Sequence, residues 1–289
     1  MAQDTDTGKK RGGPWRVVFV LALIVFIASI AALGVVAFSY IQGQMKYNAI
    51  AEQSSFEPDD LTGKELKDAS VDWGALLVVN GDTVGWIYMP NTVINYPVVQ
   101  GPDNDYYLSH DFEGAQGWLA NYGTVFLDYR NKPDWTDQVN FVYGHHMHDG
   151  TMFSDLAGLD DQARFDECRT VYLLSPSGNF KLRTFALVHV PADAEIVLTG
   201  FSDPQEMTAY VQDKINRSVV EPGPIPAASE IKRVFALATC DNLSADGRYV
   251  LYAYIENTSA EGLKGTLGVE AGEGQAGEIV NDLIVEEKK

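Results

Sequence analysis

Hydrophobic and polar positions change their pattern three times along the chain. From Val17 to Ile41 run 25 residues without a charge, VVFVLALIVFIASIAALGVVAFSYI. From about 42 to 80 the chain turns polar, with spaced apolar residues such as Ile50, Phe56, Leu61, Leu66, Trp73 and Leu76. That spacing predicts one or two amphipathic helices broken near Pro58. From Thr83 onward, short β-branched and aromatic runs alternate with turn residues. Strands are predicted over 84–89, 93–99, 124–128, 139–143, 170–174, 180–190, 234–239 and 249–255. A short helix is predicted over 153–165. A longer one over 203–219 is introduced by Ser202-Asp203-Pro204 and stopped by Gly223-Pro224-Ile225-Pro226. After Asn257 the composition becomes Gly- and Glu-rich, EAGEGQAGE at its centre, and predicts a mobile acidic tail over 258–289. Eight short strands with this punctuation predict a mainly β fold, a closed or nearly closed barrel over 81–257 with appended helices.

The uncharged run changes the picture most. At about 1.5 Å per residue it reaches about 37 Å, enough to cross a hydrocarbon core of ~30 Å with some tilt. Trp15 and Tyr40 bracket it, where aromatic rings meet the two interfaces. Lys9, Lys10, Arg11 and Arg16 precede it and Lys46 alone follows closely. The positive-inside rule therefore keeps residues 1–16 in the cytoplasm, makes 17–41 a single-pass anchor, and puts everything after it outside. A cleaved signal peptide is the alternative, but its apolar region runs to only about 7–15 residues.

Charge and cysteine count then remove whole classes. With 40 acidic against 21 basic residues the formal charge is -19, a surface that repels polyanions, so no nucleic-acid partner is expected. Cys168 and Cys240 are too few for a disulfide scaffold or a thiolate zinc site.

Two places carry candidate chemistry. Strand 139–143 runs into Gly144-His145-His146-Met147-His148, three of the chain's five histidines within four positions. A polar loop, a catalytic imidazole and a metal site are all open here. The metal reading is weakened because adjacent residues of an extended segment point to opposite faces, leaving His146 and His148 without an obvious third ligand. The second place is the apolar strand Val234–Thr239 ending in Cys240, with Arg248 opening the next strand eight positions later. If the two strands pair, a thiolate has a guanidinium within electrostatic reach, and a histidine from a third strand end completes a Cys–His–Arg site. Alternatively, Cys240 is a small buried apolar residue, or it forms a disulfide with Cys168, since the domain is outside the cell.

Taken together, ALATC before the cysteine, YGHHM far upstream and DGRYV after it resemble a sortase. So do VGWIYMPNTVINYPVVQGPDNDYYLSHDF and GTVFLDYRN. The helix ahead of the cysteine strand and the helical N-terminal extension over 42–80 resemble the class B branch, and the resemblance covers roughly Val71 to Ile255. It implies an eight-stranded sortase-type barrel and a membrane-anchored cysteine transpeptidase of a Gram-positive surface, working without metal or organic cofactor. By residue matching, Cys240 resembles the nucleophile, His145 the general acid/base, and Arg248 the oxyanion and substrate-positioning residue. Asn104, Leu108, Ala238 and Thr239 resemble substrate-groove residues, and the backbone N–H of Asp241 an oxyanion donor. One departure is Ala236, where the family commonly has Thr; altered packing with retained chemistry is expected. The implied partners are secreted proteins bearing a C-terminal sorting signal. The implied amine acceptor is a lipid-linked peptidoglycan precursor or a pilin lysine. An extracellular cysteine protease and a non-enzymatic surface binding module are the rival readings.

Overall fold

The computed structural model describes residues 13–61, 65–116, 123–191, 194, 197–240 and 247–263, Asp60 and Cys240 by their backbone alone. It opens with α1 (Pro14–Ser54), one uninterrupted helix of 41 residues. Pro14 starts it, where a missing N–H costs nothing, and Ser55, in the left-handed region at φ 53°, ends it. The first part of α1 exposes Trp15, Phe19, Phe26, Leu33 and Phe38 and is long and apolar enough to cross a membrane. Its last turns bury one face, Tyr47, Ile50 and Ser54, at helical spacing against the barrel.

The predicted amphipathic extension is therefore no separate helix as far as Ser54, but the end of the apolar one. The break near Pro58 is a 3₁₀ turn over Pro58–Leu61. A second such turn covers Leu66–Asp68, and α2 (Trp73–Val79) follows, its first turn capped by Asp72, which accepts a hydrogen bond from the Ala75 N–H.

All eight expected strands form. They are β1 (Thr83–Tyr88), β2 (Asn95–Val99), β3 (Val125–Leu127), β4 (Val139–His145), β5 (Thr170–Leu174), β6 (Phe180–Val190), β7 (Val234–Cys240) and β8 (Arg248–Thr258). They close into a barrel in the order β1-β2-β3-β4-β7-β8-β6-β5. Helix α3 (Tyr106–Ser109) precedes β3, and α4 (Gln162–Glu167) follows a 3₁₀ segment over Ser154–Asp160. Helix α5 (Pro204–Arg217) lies between β6 and β7. Residues 153–165 thus divide between two helix types, because Asp161 turns out of the helix and caps α4 through the Arg164 N–H.

Trp86, Trp135, Phe141, Phe180, Phe235 and Tyr252 are buried in the core, each contributing roughly 1.5–3 kcal/mol by leaving water. The central strands β4 and β7 pair in parallel and are buried on both faces, which is why both read as continuous apolar runs. Ala236 sits between Phe141 on β4 and Tyr252 on β8. A methyl group there leaves no hydroxyl to satisfy between two rings.

Of the expected acidic tail, residues 258–263 continue the fold, with Leu263 buried, and the rest lies outside the described residues.

Candidate active site

Three strand ends meet at one edge of the barrel. The parallel ladder between β4 and β7 runs unbroken from Val139 opposite Val234 to His145 opposite Cys240. Neighbouring strands are about 4.8 Å apart, so these two backbones are adjacent. Strand β8 pairs antiparallel on the other side of β7, Ala238 opposite Val250; continuing that register by two residues brings Cys240 level with Arg248. Gly144 lets the ladder reach this far, because a Cβ there would lie 2.6 Å from the Phe153 ring packed beneath it.

His145, Arg248, Asn104, Leu108, Phe126 and Tyr143 line one cleft of about 370 Å³. Four of these were candidates from the sequence. The His145 ring is fixed by Nε2, which lies 2.7 Å from the Leu108 carbonyl. A carbonyl only accepts, so Nε2 carries the proton and Nδ1 is left to exchange one. Nδ1 is buried and has no hydrogen-bond partner among the described residues. Burial pushes the His145 pKa below its ordinary value, and the Leu108 carbonyl opposes this only in part. Arg248 is half-buried and Nη2 donates to the Ala194 carbonyl at 3.3 Å.

Asn104 is set by a group that sequence reasoning missed. Its Nδ2 donates to Oδ2 of Asp128 at 2.8 Å, and its Oδ1 accepts from the Tyr129 N–H at 3.1 Å. Asp128 is fully buried and receives Nε and Nη2 of Arg130 at 2.9 and 3.0 Å. Burial pushes this carboxyl upward, but the bonds from Arg130 and Asn104 outweigh it and hold the pKa below the usual carboxylate value. The only sequence signal was the motif GTVFLDYRN, which contains Asp128 and Arg130 but does not reveal their partner.

Ala238 and Thr239 are buried. The Thr239 hydroxyl accepts from the Tyr249 N–H at 3.2 Å, tying β7 to β8. Asp241 lies outside the described residues. Cys168 is a free, buried thiol whose pKa burial raises, so the Cys168–Cys240 disulfide does not form. His146 forms a β-bridge with Met152, and among the described residues no three His, Cys, Asp or Glu gather as a metal site would require.

A closed eight-stranded barrel that brings a histidine, a cysteine and an arginine to neighbouring strand ends beside one cleft defines a protein of the sortase type. A curated sortase B of Listeria monocytogenes is 32% identical over 163 residues, covering 56% of this chain and 64% of the relative. The chain thus spans just under two thirds of that relative's length. The solved structure of sortase B from Listeria monocytogenes matches with a TM-score of 0.55 and 32% identity, over 62% of this chain and 97% of that one. Sortase B from B. anthracis, crystallised in complex with AAEK1, matches with a TM-score of 0.64 and 28% identity, over 75% and 98% of the two chains. No family model matches the chain. The chain belongs to the sortase B family.

Proposed function

We propose that the protein is a membrane-anchored cysteine transpeptidase that cleaves a C-terminal sorting signal and passes the new carboxyl end to an amine. The observation that carries this reading is the parallel register of β4 and β7, in which His145 and Cys240 are directly paired beside the cleft that Arg248 lines. In the proposed reaction the Cys240 sulfur attacks the scissile carbonyl and His145 takes the thiol proton. His145 then protonates the departing amine, which leaves a thioester. An incoming amine attacks the thioester, His145 accepts its proton, and the thiolate departs and is reprotonated. Arg248 cannot lose its proton at working pH, so its role is to hold the developing oxyanion and the substrate.

The proposed substrates are secreted proteins with a sorting signal, and the proposed acceptor is a lipid-linked peptidoglycan precursor or a pilin lysine. The basic cluster before α1 supports a cytoplasmic N-terminus with the barrel outside.

The test is incubation of the full chain in detergent with a sorting-peptide library and triglycine, with products read by mass spectrometry. Peptides joined to triglycine are expected; hydrolysis products alone would make this a protease, and no turnover of any peptide would end the proposal.

Two measurements follow from the site. The active protonation state holds one proton on the Cys240–His145 pair, whether written as thiol and imidazole or as thiolate and imidazolium. Adding a second proton stops the reaction, and burial lowers the pH at which that happens. The acid limb of kcat/KM is therefore expected below the ordinary histidine value of 6.5; a limb at or above it would contradict the burial argument. Arg248→Lys keeps the charge but loses the planar fork that holds two oxygens at once. Steady-state cleavage is expected to fall by roughly 10²–10³, the loss of one oxyanion donor.

A further inference from the structure

The anchor helix reaches the segment packed against His145. Tyr47, six residues beyond Ile41 on α1, is buried, and its ring meets Tyr96 edge-on at 5.5 Å. Its hydroxyl donates to the Gly123 carbonyl at 2.5 Å. Burial pushes this phenol's pKa well up, so it remains a donor throughout the working range.

Gly123 in turn lies against the histidine. With φ at +54°, it faces the imidazole so closely that a Cβ there would be 2.7 Å from both Cδ2 and Nε2 of His145. The next residue closes the clamp: the Thr124 N–H donates to the Tyr107 carbonyl at 3.0 Å, and its hydroxyl to the His110 carbonyl at 3.0 Å. Segment 123–124 is therefore held between α1 and residues 107–110, the stretch whose Leu108 carbonyl receives Nε2 of His145. Lys46, beside Tyr47, pins the far end of that stretch through Asp111 at 2.8 Å and Glu113 at 3.0 Å.

From this geometry we infer that Tyr47 is a positioning residue for His145. Its hydroxyl holds the Gly123 backbone against the imidazole edge, and the ring so confined keeps its bond to Leu108 and presents Nδ1 to the reaction. The inference rests on the transpeptidase reading for its effect on turnover, but not for its effect on the ring. The titratable groups around His145 are Arg248, Tyr143 and Asp105 at the cleft, Cys240 beside it on β7, and His146 next in sequence. Tyr47→Phe alters none of them and keeps the ring packed on Tyr96.

The experiment compares wild type, Tyr47→Phe and Ser39→Ala as full chains in lipid nanodiscs. It measures cleavage of a sorting peptide and, in the resting protein, the His145 imidazole titration by ¹⁵N NMR. For Tyr47→Phe, kcat is expected to fall about tenfold with KM within about twofold, since loss of the Tyr47 bond loosens the Gly123 segment against the imidazole and not the groove. The His145 titration is expected to move upward as water gains the ring edge. Ser39→Ala, on the same helix with a hydroxyl that bonds to the Val36 carbonyl of α1 itself, is expected to leave both unchanged. A Tyr47→Phe protein with lowered thermal stability but wild-type kcat and titration would assign the hydroxyl a purely structural role and overturn the inference. Because the titration needs no turnover, a wild type that cleaves nothing would end the transpeptidase reading while the imidazole shift still decides this one.

Discussion

Cys240→Ala is expected to reduce transpeptidation to background while leaving the circular dichroism spectrum and thermal midpoint close to wild type. The reason lies in where the residue sits. Cys240 is the last residue of β7, at the end of a ladder anchored by six pairs from Val234 through Thr239, and its own pairing with His145 is through the backbone. Alanine has the same backbone preferences there and removes only the sulfur. Without a nucleophile no thioester forms, and water attacking an amide has none of the advantage of a thiolate. Cys168→Ala is the matched control: that thiol is buried at the end of α4, and burial raises its pKa, which suppresses thiolate. Turnover comparable to wild type in Cys240→Ala would end the transpeptidase proposal.

His145→Ala is expected to cost several orders of magnitude in kcat/KM, because both proton transfers pass through one ring. His146→Ala and His148→Ala are expected to stay within about tenfold, or ~1.4 kcal/mol of barrier. The difference follows from register rather than residue type. His145 is the residue opposite Cys240, with Nε2 tied to Leu108 and Nδ1 unpartnered among the described residues, whereas His146, on the next position, bridges to Met152. Steady-state cleavage of a cognate peptide by the three variants separates them. An essential His148 with a dispensable His145 would reverse the assignment and reopen the metal reading.

The barrel was legible because its strands are short β-branched and aromatic runs that do not suit a helix. The ends of the central strands were less legible. Residues 144 and 145, glycine and histidine, have no strand preference of their own, and only the ladder to β7 carries β4 through them. Strand β2 begins later than expected because Thr92 turns the chain, its hydroxyl donating to the Met89 carbonyl at 2.7 Å. In α1 the boundary expected at 41 marks a change of surroundings and not of conformation: the helix is apolar all round before it and apolar on one face after it. Cys240, His145 and Arg248 stood out through motifs carried by contiguous residues. Asp128 and Tyr47 did not, since each acts across 24 to 76 positions of sequence that only folding brings together.

The unbroken α1 also sets how the protein meets its substrates. A helix of 41 residues measures about 61 Å, about twice the thickness of a hydrocarbon core of ~30 Å. From Ile41 to Tyr47 the rise is only about 9 Å, with no flexible linker between. Once the apolar part of α1 spans a bilayer, the cleft stands at a fixed height above the lipid and moves only with it, in two dimensions. On the proposed function, a substrate tethered within that thin layer would reach an effective concentration in the millimolar range expected for short tethers, so the same signal peptide free in solution is expected to be cleaved more slowly at equal bulk concentration.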